Sequence, residues 1–386
     1  MPAFRPFAFL SLQPDYSKRI FGLDLMRALA IFFVVMGHGS MLEKADTGFP
    51  WVALVPGVEL FFVLSGFLIG GILLRLFRES PDFGFPQLKK FWIRRWFRTL
   101  PNYYLVLILN IIAVYFGWIN EKFSHFNWTF FLFLQNFSGP FTDFFWESWS
   151  LSVEEWFYIL FPLTLAVVLL AGHILQRKDA APGSLAVAKN KLFLFSILVF
   201  LLVPFLLRLC IASRMQVDQF WLGVKIFKVV IFRLDSIALG LFAAFIKDRY
   251  PGFWFTARKA GFVLGLILIY TILYTTWPPD SFLTKNFQIF LQSLGCFLLL
   301  PGFDSIRRAP RRLVRIVTHV SLISYSMYLL NLALIAEVIN KNFPPRGPRS
   351  AWGMYFLYWF AVVFFSTLMY KYFEKPTTEM RDRYAS

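Results

Sequence analysis

Ten apolar blocks recur along the chain, and each is close to the length of helix that crosses a bilayer. A helix of about 20 apolar residues spans the hydrocarbon core. Only helices and closed barrels satisfy their backbone groups there, and the blocks do not alternate as barrel strands do. We therefore expect helices over 23–42, 55–77, 100–119, 149–172, 191–211, 227–247, 260–277, 284–301, 316–340 and 351–373.

The composition excludes a soluble globular protein. Of the 386 residues, 58% are hydrophobic and only 16% are charged, whereas soluble domains hold about 45–50% apolar and about 25% charged residues. We predict an all-α polytopic membrane protein, a bundle of about ten transmembrane helices that forms a single domain over 1–386. A short arm (1–20) precedes spans over roughly 23–373, and a short tail (374–386) follows.

The net charge of +17 arises from short basic clusters between the apolar blocks. They recur in every second connection, for example over 89–98 and 307–315, while the intervening connections hold fewer Lys or Arg. The fifth connection (Arg214, Lys225) and the ninth (Lys341, Arg346, Arg349) weaken this pattern without reversing it. This is the positive-inside pattern, so we expect both termini in the cytoplasm, and the bilayer rather than nucleic acid as partner. Cys210 and Cys296 lack the spacing of a metal site, and we expect no metal.

The stretch RALAIFFVVMGH places Arg27 and His38 in the first span. Eleven helical residues make three turns plus about 20° and rise about 16 Å, so both side chains share one face at opposite depths. Asp24 lies on that face and can pair with Arg27. In the simplest interpretation Arg27 snorkels to the inner interface and His38 is a packing residue. In the functional one, His38 takes a proton inside the protein.

The stretch FWESWSLSVEEWFYILFP brings Glu154 and Glu155 to the outer end of the fourth span, at a depth similar to His38. Neighbouring residues lie about 100° apart on a helix, so at most one carboxylate faces the centre of the bundle. The alternative is an interfacial anchor of tryptophans with both glutamates in contact with water.

Two further motifs lie on the cytoplasmic side. KKFWIRRWFRTLPNYY holds five basic residues between Lys89 and Arg98, which suit either anionic lipid headgroups or a polyphosphate ligand. YKYFEKP places Glu374 at the level of Arg27, where it either pairs with that arginine or is solvated.

Together these motifs resemble the acyltransferase 3 family of integral membrane O-acyltransferases, in a stand-alone form without a C-terminal SGNH domain. The resemblance runs from Leu23 to Pro376. The matching motifs, in order, are LDLMRALAIFFVVMGH, GVELFFVLSGFLIG, FWIRRWFRTLPNYY, WSLSVEEWFYILFP, FRLDSIALG, SYSMYLLN and YKYFEKP.

The resemblance implies a multi-pass enzyme of a bacterial inner membrane that moves an acyl group, commonly acetyl, from acyl-CoA to a carbohydrate hydroxyl at the outer face. By matching position, the catalytic set is His38, Arg27, Glu154 and Glu155, and the donor-binding set is Arg94, Arg95 and Arg98. The remaining motif residues are Asp24, Glu59, Ser65, Trp149, Arg233, Asp235, Tyr325 and Glu374.

Three positions depart from the family pattern. Glu59 stands where Asp is commoner, and Trp156 stands where Gln is common. Asn331 ends SYSMYLLN where many members have His, so we do not carry over a role for a second histidine.

These residues suggest a mechanism. The arginines of the basic motif would hold the phosphates of acetyl-CoA or another acyl-CoA, and the pantetheine arm would pass Arg27 toward His38. His38 would act as general base or as acyl-accepting nucleophile, with Glu154 or Glu155 fixing its tautomer. The acceptor stays open among lipopolysaccharide, exopolysaccharide, periplasmic glucan, peptidoglycan and small glycosides. The alternative function is a transporter of a glycan or acylated intermediate.

Overall fold

The structure, a computed structural model, describes residues 12, 14–42, 56–80, 83–142, 144–175 and 184–384. Most of the expected arm (1–20) and the end of the expected tail (374–386) lie outside these residues. All regular elements in the described part are helical, and it contains no strand.

The α-helices vary from one turn to eight turns in length. They are α1 (Phe21–Gly39), α2 (Gly57–Glu79), α3 (Phe85–Tyr115), α4 (Ser148–Leu175), α5 (Ser184–Cys210), α6 (Gln219–Leu222), α7 (Leu234–Arg249), α8 (Pro251–Thr256), α9 (Arg258–Tyr274), α10 (Ile289–Ser305), α11 (Arg311–Leu330), α12 (Val338–Asn342), α13 (Pro348–Met369) and α14 (Lys375–Tyr384). Four π-helical segments adjoin them: Gly223–Phe227, Thr284–Gln288, Asn331–Glu337 and Tyr370–Glu374.

Each of the ten predicted blocks contains one principal helix, which confirms an all-α polytopic membrane protein. Eight helical stretches in the described part are long and apolar enough to cross a membrane by length and composition. The helices in the sixth and seventh blocks, α7 and α9, are shorter, with 16 and 17 residues. The number of crossings and the side of the termini therefore remain predictions.

Helices α2 and α7 cross at two glycines. A Cβ atom on Gly66 would lie 2.0 Å from the carbonyl oxygen of Ile237, and one on Gly240 would lie 2.1 Å from that of Val63. Small residues let helix backbones approach closely in membranes, where packing rather than hydrophobicity drives association. The crossing fixes one wall of the candidate site, because α2 supplies that wall.

The aromatic loop between α3 and α4 folds into the bundle. Phe130, Phe144 and Phe145 are completely buried, and the Tyr103 hydroxyl donates to the Phe130 carbonyl oxygen at 2.8 Å. The loop ends at Glu147, where α4 begins, and covers the end of the bundle at which His38 lies.

Candidate active site

Helix α1 is continuous from Phe21 to Gly39, so Arg27 and His38 share a face as predicted. His38 Nδ1 lies 2.6 Å from Oδ1 of Asn331. This is the one hydrogen bond that the imidazole makes to the described residues, and its partner stands at one of the three positions where the sequence departs from the family pattern. Glu154 and Glu155, which we expected to orient the imidazole, do not contact it.

The Asn331 amide fixes the tautomer of His38. Its Nδ2 donates to the carbonyl oxygens of Met327 at 2.9 Å and Tyr328 at 2.7 Å, so both amide hydrogens are used and Oδ1 faces the imidazole. An amide oxygen only accepts, and therefore Nδ1 of His38 carries the proton. The other ring nitrogen, Nε2, is left with a free lone pair, as a base or nucleophile requires.

A cavity of about 670 Å³ lies between α1, α2, α3, α4 and α11, a volume typical of small-molecule sites. Arg27 lines it from α1, and Arg95 and Arg98 line it from α3. The α2 wall includes a stripe at intervals of three and four residues, which is the spacing of one helical face: Val58, Phe61, Ser65, Leu68, Ile72 and Arg75. Phe62, Leu64 and Ile69 lie beside this stripe and also line the cavity.

Arg19 pairs with Asp24, but the other arginines that line the cavity form no ion pair with the described residues. Within the described ranges, Arg27, Arg95 and Arg98 form no ion pair, and the Arg95 guanidinium lies 5.9 Å from the centre of the Tyr158 ring. Arg94, which we grouped with them from sequence, is exposed and does not line the cavity. The basic motif is part of α3 itself, and less than one turn of helix separates Arg95 from Arg98. Both line the cavity, and Arg98 is also exposed.

The two adjacent glutamates face different surroundings, as the helical spacing predicted. Glu154 lines the cavity. Glu155 is buried against α3, where the Thr99 hydroxyl donates to its Oε1 at 2.6 Å. Three hydroxyl groups also belong to the cavity wall. Those of Ser65 and Tyr158 lie 2.6 Å apart, and that of Tyr325 donates to the Thr99 carbonyl oxygen at 2.9 Å.

Neither carboxylate that we expected beside Arg27 pairs with it. Asp24 pairs with Arg19 at 2.5 Å and accepts from the Ser321 hydroxyl. Glu374, in the last π-helical segment, accepts from the Ser326 hydroxyl. Each carboxylate is therefore bound to other donors. The Arg27 guanidinium forms no ion pair with either of them and lines the cavity.

The remaining predicted charges form ion pairs inside the bundle. Glu59 pairs with Arg233 and Asp235 pairs with Arg208, and all four side chains are buried. The Arg233 guanidinium also lies over the ring of Trp149, 5.7 Å from its centre. These contacts join α2, α4, α5 and α7, so they hold the walls of the bundle rather than line the cavity.

The cavity ends close to His38. Helices α1 and α11 run side by side in one direction, since Asp24 contacts Ser321 and His38 contacts Asn331. Tyr328, whose carbonyl oxygen binds Asn331, lines the cavity at this end and packs edge to face on Phe61, with ring centres 6.2 Å apart. The cavity thus extends from Arg19 and Arg27 toward the imidazole, although His38 itself does not line it.

A family model described as an acyltransferase domain matches residues 20–371. A Staphylococcus aureus protein named "Putative O-acetyltransferase" is 35% identical over 161 residues, and the Listeria monocytogenes "Peptidoglycan O-acetyltransferase OatA" is 34% identical over 170 residues. These alignments cover 39% and 40% of this chain and 25% of each relative, so the chain matches about a quarter of their length. No solved structure matches.

Proposed function

The chain belongs to the acyltransferase 3 family, and from that premise we propose that it is a membrane O-acetyltransferase that moves acetyl from acetyl-CoA to a carbohydrate hydroxyl. Family membership favours this enzyme over the transporter alternative. The name of the Listeria relative supports peptidoglycan, rather than lipopolysaccharide, as the acceptor. The proposed enzyme is a single membrane domain that takes its donor from the cytoplasm and its acceptor from the other side.

Three cavity arginines support the donor site. One guanidinium group can donate to two phosphate oxygens at once. These three arginines have no carboxylate partner within the described ranges, so their hydrogen atoms are available to a phosphate. In the proposal Arg27, Arg95 and Arg98 bind the phosphates of the donor, and Arg94 takes no part because it lies outside the cavity. The acyl end of the donor points toward Phe61 and Tyr328, the end of the cavity nearest His38.

The observation on which the proposal mainly depends is the tautomer of His38. Its Nε2 accepts the proton of the acceptor hydroxyl as the hydroxyl oxygen attacks the thioester carbonyl carbon. The carbon–sulfur bond then breaks, and the imidazolium returns the proton to the thiolate. The products are the acetyl ester and free CoA thiol, so atoms and charge balance.

The experiment uses purified full-length protein with labelled acetyl-CoA and peptidoglycan fragments. His38→Ala is expected to lower transfer at least about 100-fold, the usual contribution of a general base. His319→Ala is the matched control, because His319 too lies within a predicted span, in α11, and hydrogen-bonds to a neighbouring helix, at 3.1 Å from the Thr367 hydroxyl. It should keep its activity. Transfer at the wild-type rate by folded His38→Ala would overturn the assignment.

The nucleophilic variant gives a different result in the same assay. If Nε2 attacks the thioester itself, label should appear on His38 when the acceptor is left out and the reaction is quenched rapidly. Under the general-base proposal no label stays on the protein. Sealed vesicles of known orientation test the donor side: acetyl-CoA should support transfer only when it is on the face that carries Arg95.

A further inference from the structure

Asn331 is the first residue after α11, at the point where the helical winding changes. The chain changes there from α-helical to π-helical winding, which continues to Glu337. Such π-helical segments leave backbone groups without their usual partners, and they are frequent at functional sites. The amide nitrogens of Leu332 and Ala333, the two residues after Asn331, both donate to one carboxylate oxygen of Glu147, at 3.1 and 2.9 Å.

Glu147 contacts the residues on both sides of Asn331. Its backbone oxygen accepts from the Tyr328 hydroxyl at 3.2 Å, and that hydroxyl also lies 2.6 Å from the hydroxyl of Ser150. The Glu147 side chain is 1% exposed, so these bonds are shielded from water and hold their geometry. Asn331 is therefore held through Tyr328 before it and through Leu332 and Ala333 after it.

We propose that Glu147 is a positioning residue: it holds the π-helical segment so that the Asn331 amide oxygen keeps the proton on Nδ1 of His38. The inference rests on the function proposed above, in which Nε2 of His38 accepts a proton. Glu147 touches neither substrate nor imidazole in this arrangement and acts through Asn331 alone. In the sequence Glu147 stands two residues before the motif WSLSVEEWFYILFP, and its contacts join that region to the residues that follow Asn331, 184 positions further along the chain.

A purely structural role for Glu147 predicts a different pattern. A lost helix cap lowers stability, but it leaves the tautomer and the catalytic constant of the folded protein unchanged. A positioning role changes both, because Asn331 is then free to turn its amide and offer hydrogens to the imidazole. Glu147 does not line the donor cavity, so the KM for acetyl-CoA should stay within twofold of wild type.

The test measures the tautomer of His38 directly, by nitrogen-15 spectra of full-length protein labelled at histidine in detergent micelles. His38→Gln identifies the signals, since the chain has only four histidines. Wild type should show Nδ1 protonated, and Glu147→Ala should show a mixture of both tautomers. In the transfer assay the same variant should lose about 10- to 100-fold in kcat, by analogy with the loss on removing a group that orients a metal-binding histidine.

Glu147→Gln should restore most of kcat and the wild-type tautomer, because its amide oxygen still accepts both N–H groups. Glu337→Ala is the matched control: Glu337 is in the same π-helical segment and accepts from the amide of Asn120, but it is far along the segment from Asn331. It should lose stability without a change in tautomer. Where Glu147→Ala does not fold, Glu147→Asp replaces it, since the shorter carboxylate cannot reach both amides and should give the same mixture.

Two results would overturn the inference: an unchanged Nδ1–H signal in folded Glu147→Ala or Glu147→Asp, or a kcat within twofold of wild type. The tautomer measurement needs no substrate. A failure of the proposed acetyl transfer, seen as a fully active His38→Ala, is therefore distinguishable from a failure of the role given to Glu147.

Discussion

Two groups of arginines lie in the same bundle but in different electrostatic surroundings. Arg208 and Arg233 are completely buried, and each is paired with a carboxylate. Arg27 and Arg95 line the cavity and form no ion pair in the described part of the chain. A buried guanidinium in a membrane protein needs a counter-charge. The first pair obtains it from the protein, and the second pair is available to an anionic ligand.

The comparison also separates two kinds of motif residue. Glu59, Arg233 and Asp235 take part in ion pairs that join α2, α5 and α7. Glu59 also joins α2 to α10, because it accepts from the Ser293 hydroxyl at 2.6 Å. Arg27, Arg95 and Arg98 form no such ion pair between helices in the described part of the chain. Substitutions should therefore affect stability in the first group and donor binding in the second.

The largest effect is expected on breaking a paired charge. Arg233→Met leaves the Glu59 carboxylate buried without its cation, and such changes cost about 3–5 kcal/mol. The detergent-solubilised variant should melt far below wild type, as followed by intrinsic fluorescence. Glu59→Leu combined with Arg233→Met should recover most of the loss, because no charge is then left unpaired. If Arg233→Met melts like wild type, the pair does not hold the fold.

The next effect concerns the cavity. Arg27→Gln or Arg95→Gln removes charged hydrogen bonds to a phosphate, each worth about 1.5–3 kcal/mol, so the KM for acetyl-CoA should rise about 10- to 100-fold. The melting temperature should stay the same or rise, because an unpaired cation is removed. The exposed Arg94→Gln is the matched control and should change KM less than twofold. Equal effects of all three variants would mean that general positive charge, not the cavity, attracts the donor.

The smallest effect is a dependence of stability on pH that comes from the carboxyl group of Glu121, in the aromatic loop. Burial raises the pKa of Glu121 to about 8, partly offset by the Phe145 amide that donates to it. The folded state then binds more protons than the unfolded state between about pH 4.5 and 8. The free energy of unfolding should therefore fall as pH rises through this window. Glu121→Gln should flatten the fall, and an unchanged slope would show that Glu121 does not contribute.

The apolar helices and the bacterial relatives make this chain a multi-pass protein of a bacterial cytoplasmic membrane, as the sequence predicted. The sequence alone also supplied the family and the shared face of Arg27 and His38. It did so because helical periodicity and bilayer length are local properties that a one-dimensional pattern retains. Glu154 lines the cavity and Glu155 is buried against α3, so both carboxylates lie within the bundle, in different directions from α4.

The sequence did not predict which side chains pair across helices. Asp24 was expected at Arg27 and binds Arg19, and the imidazole partner was sought at Glu154 or Glu155 and is Asn331. Arg94 looked equivalent to Arg95 in the motif, but helix rotation turned it outward. Such contacts depend on which faces meet and on where α-helical winding gives way to π-helical winding, and these are decided by packing between distant segments. Chain chemistry thus determined the membrane fold and its reactive residues, while tertiary packing decided which charges are paired and which nitrogen of His38 is free.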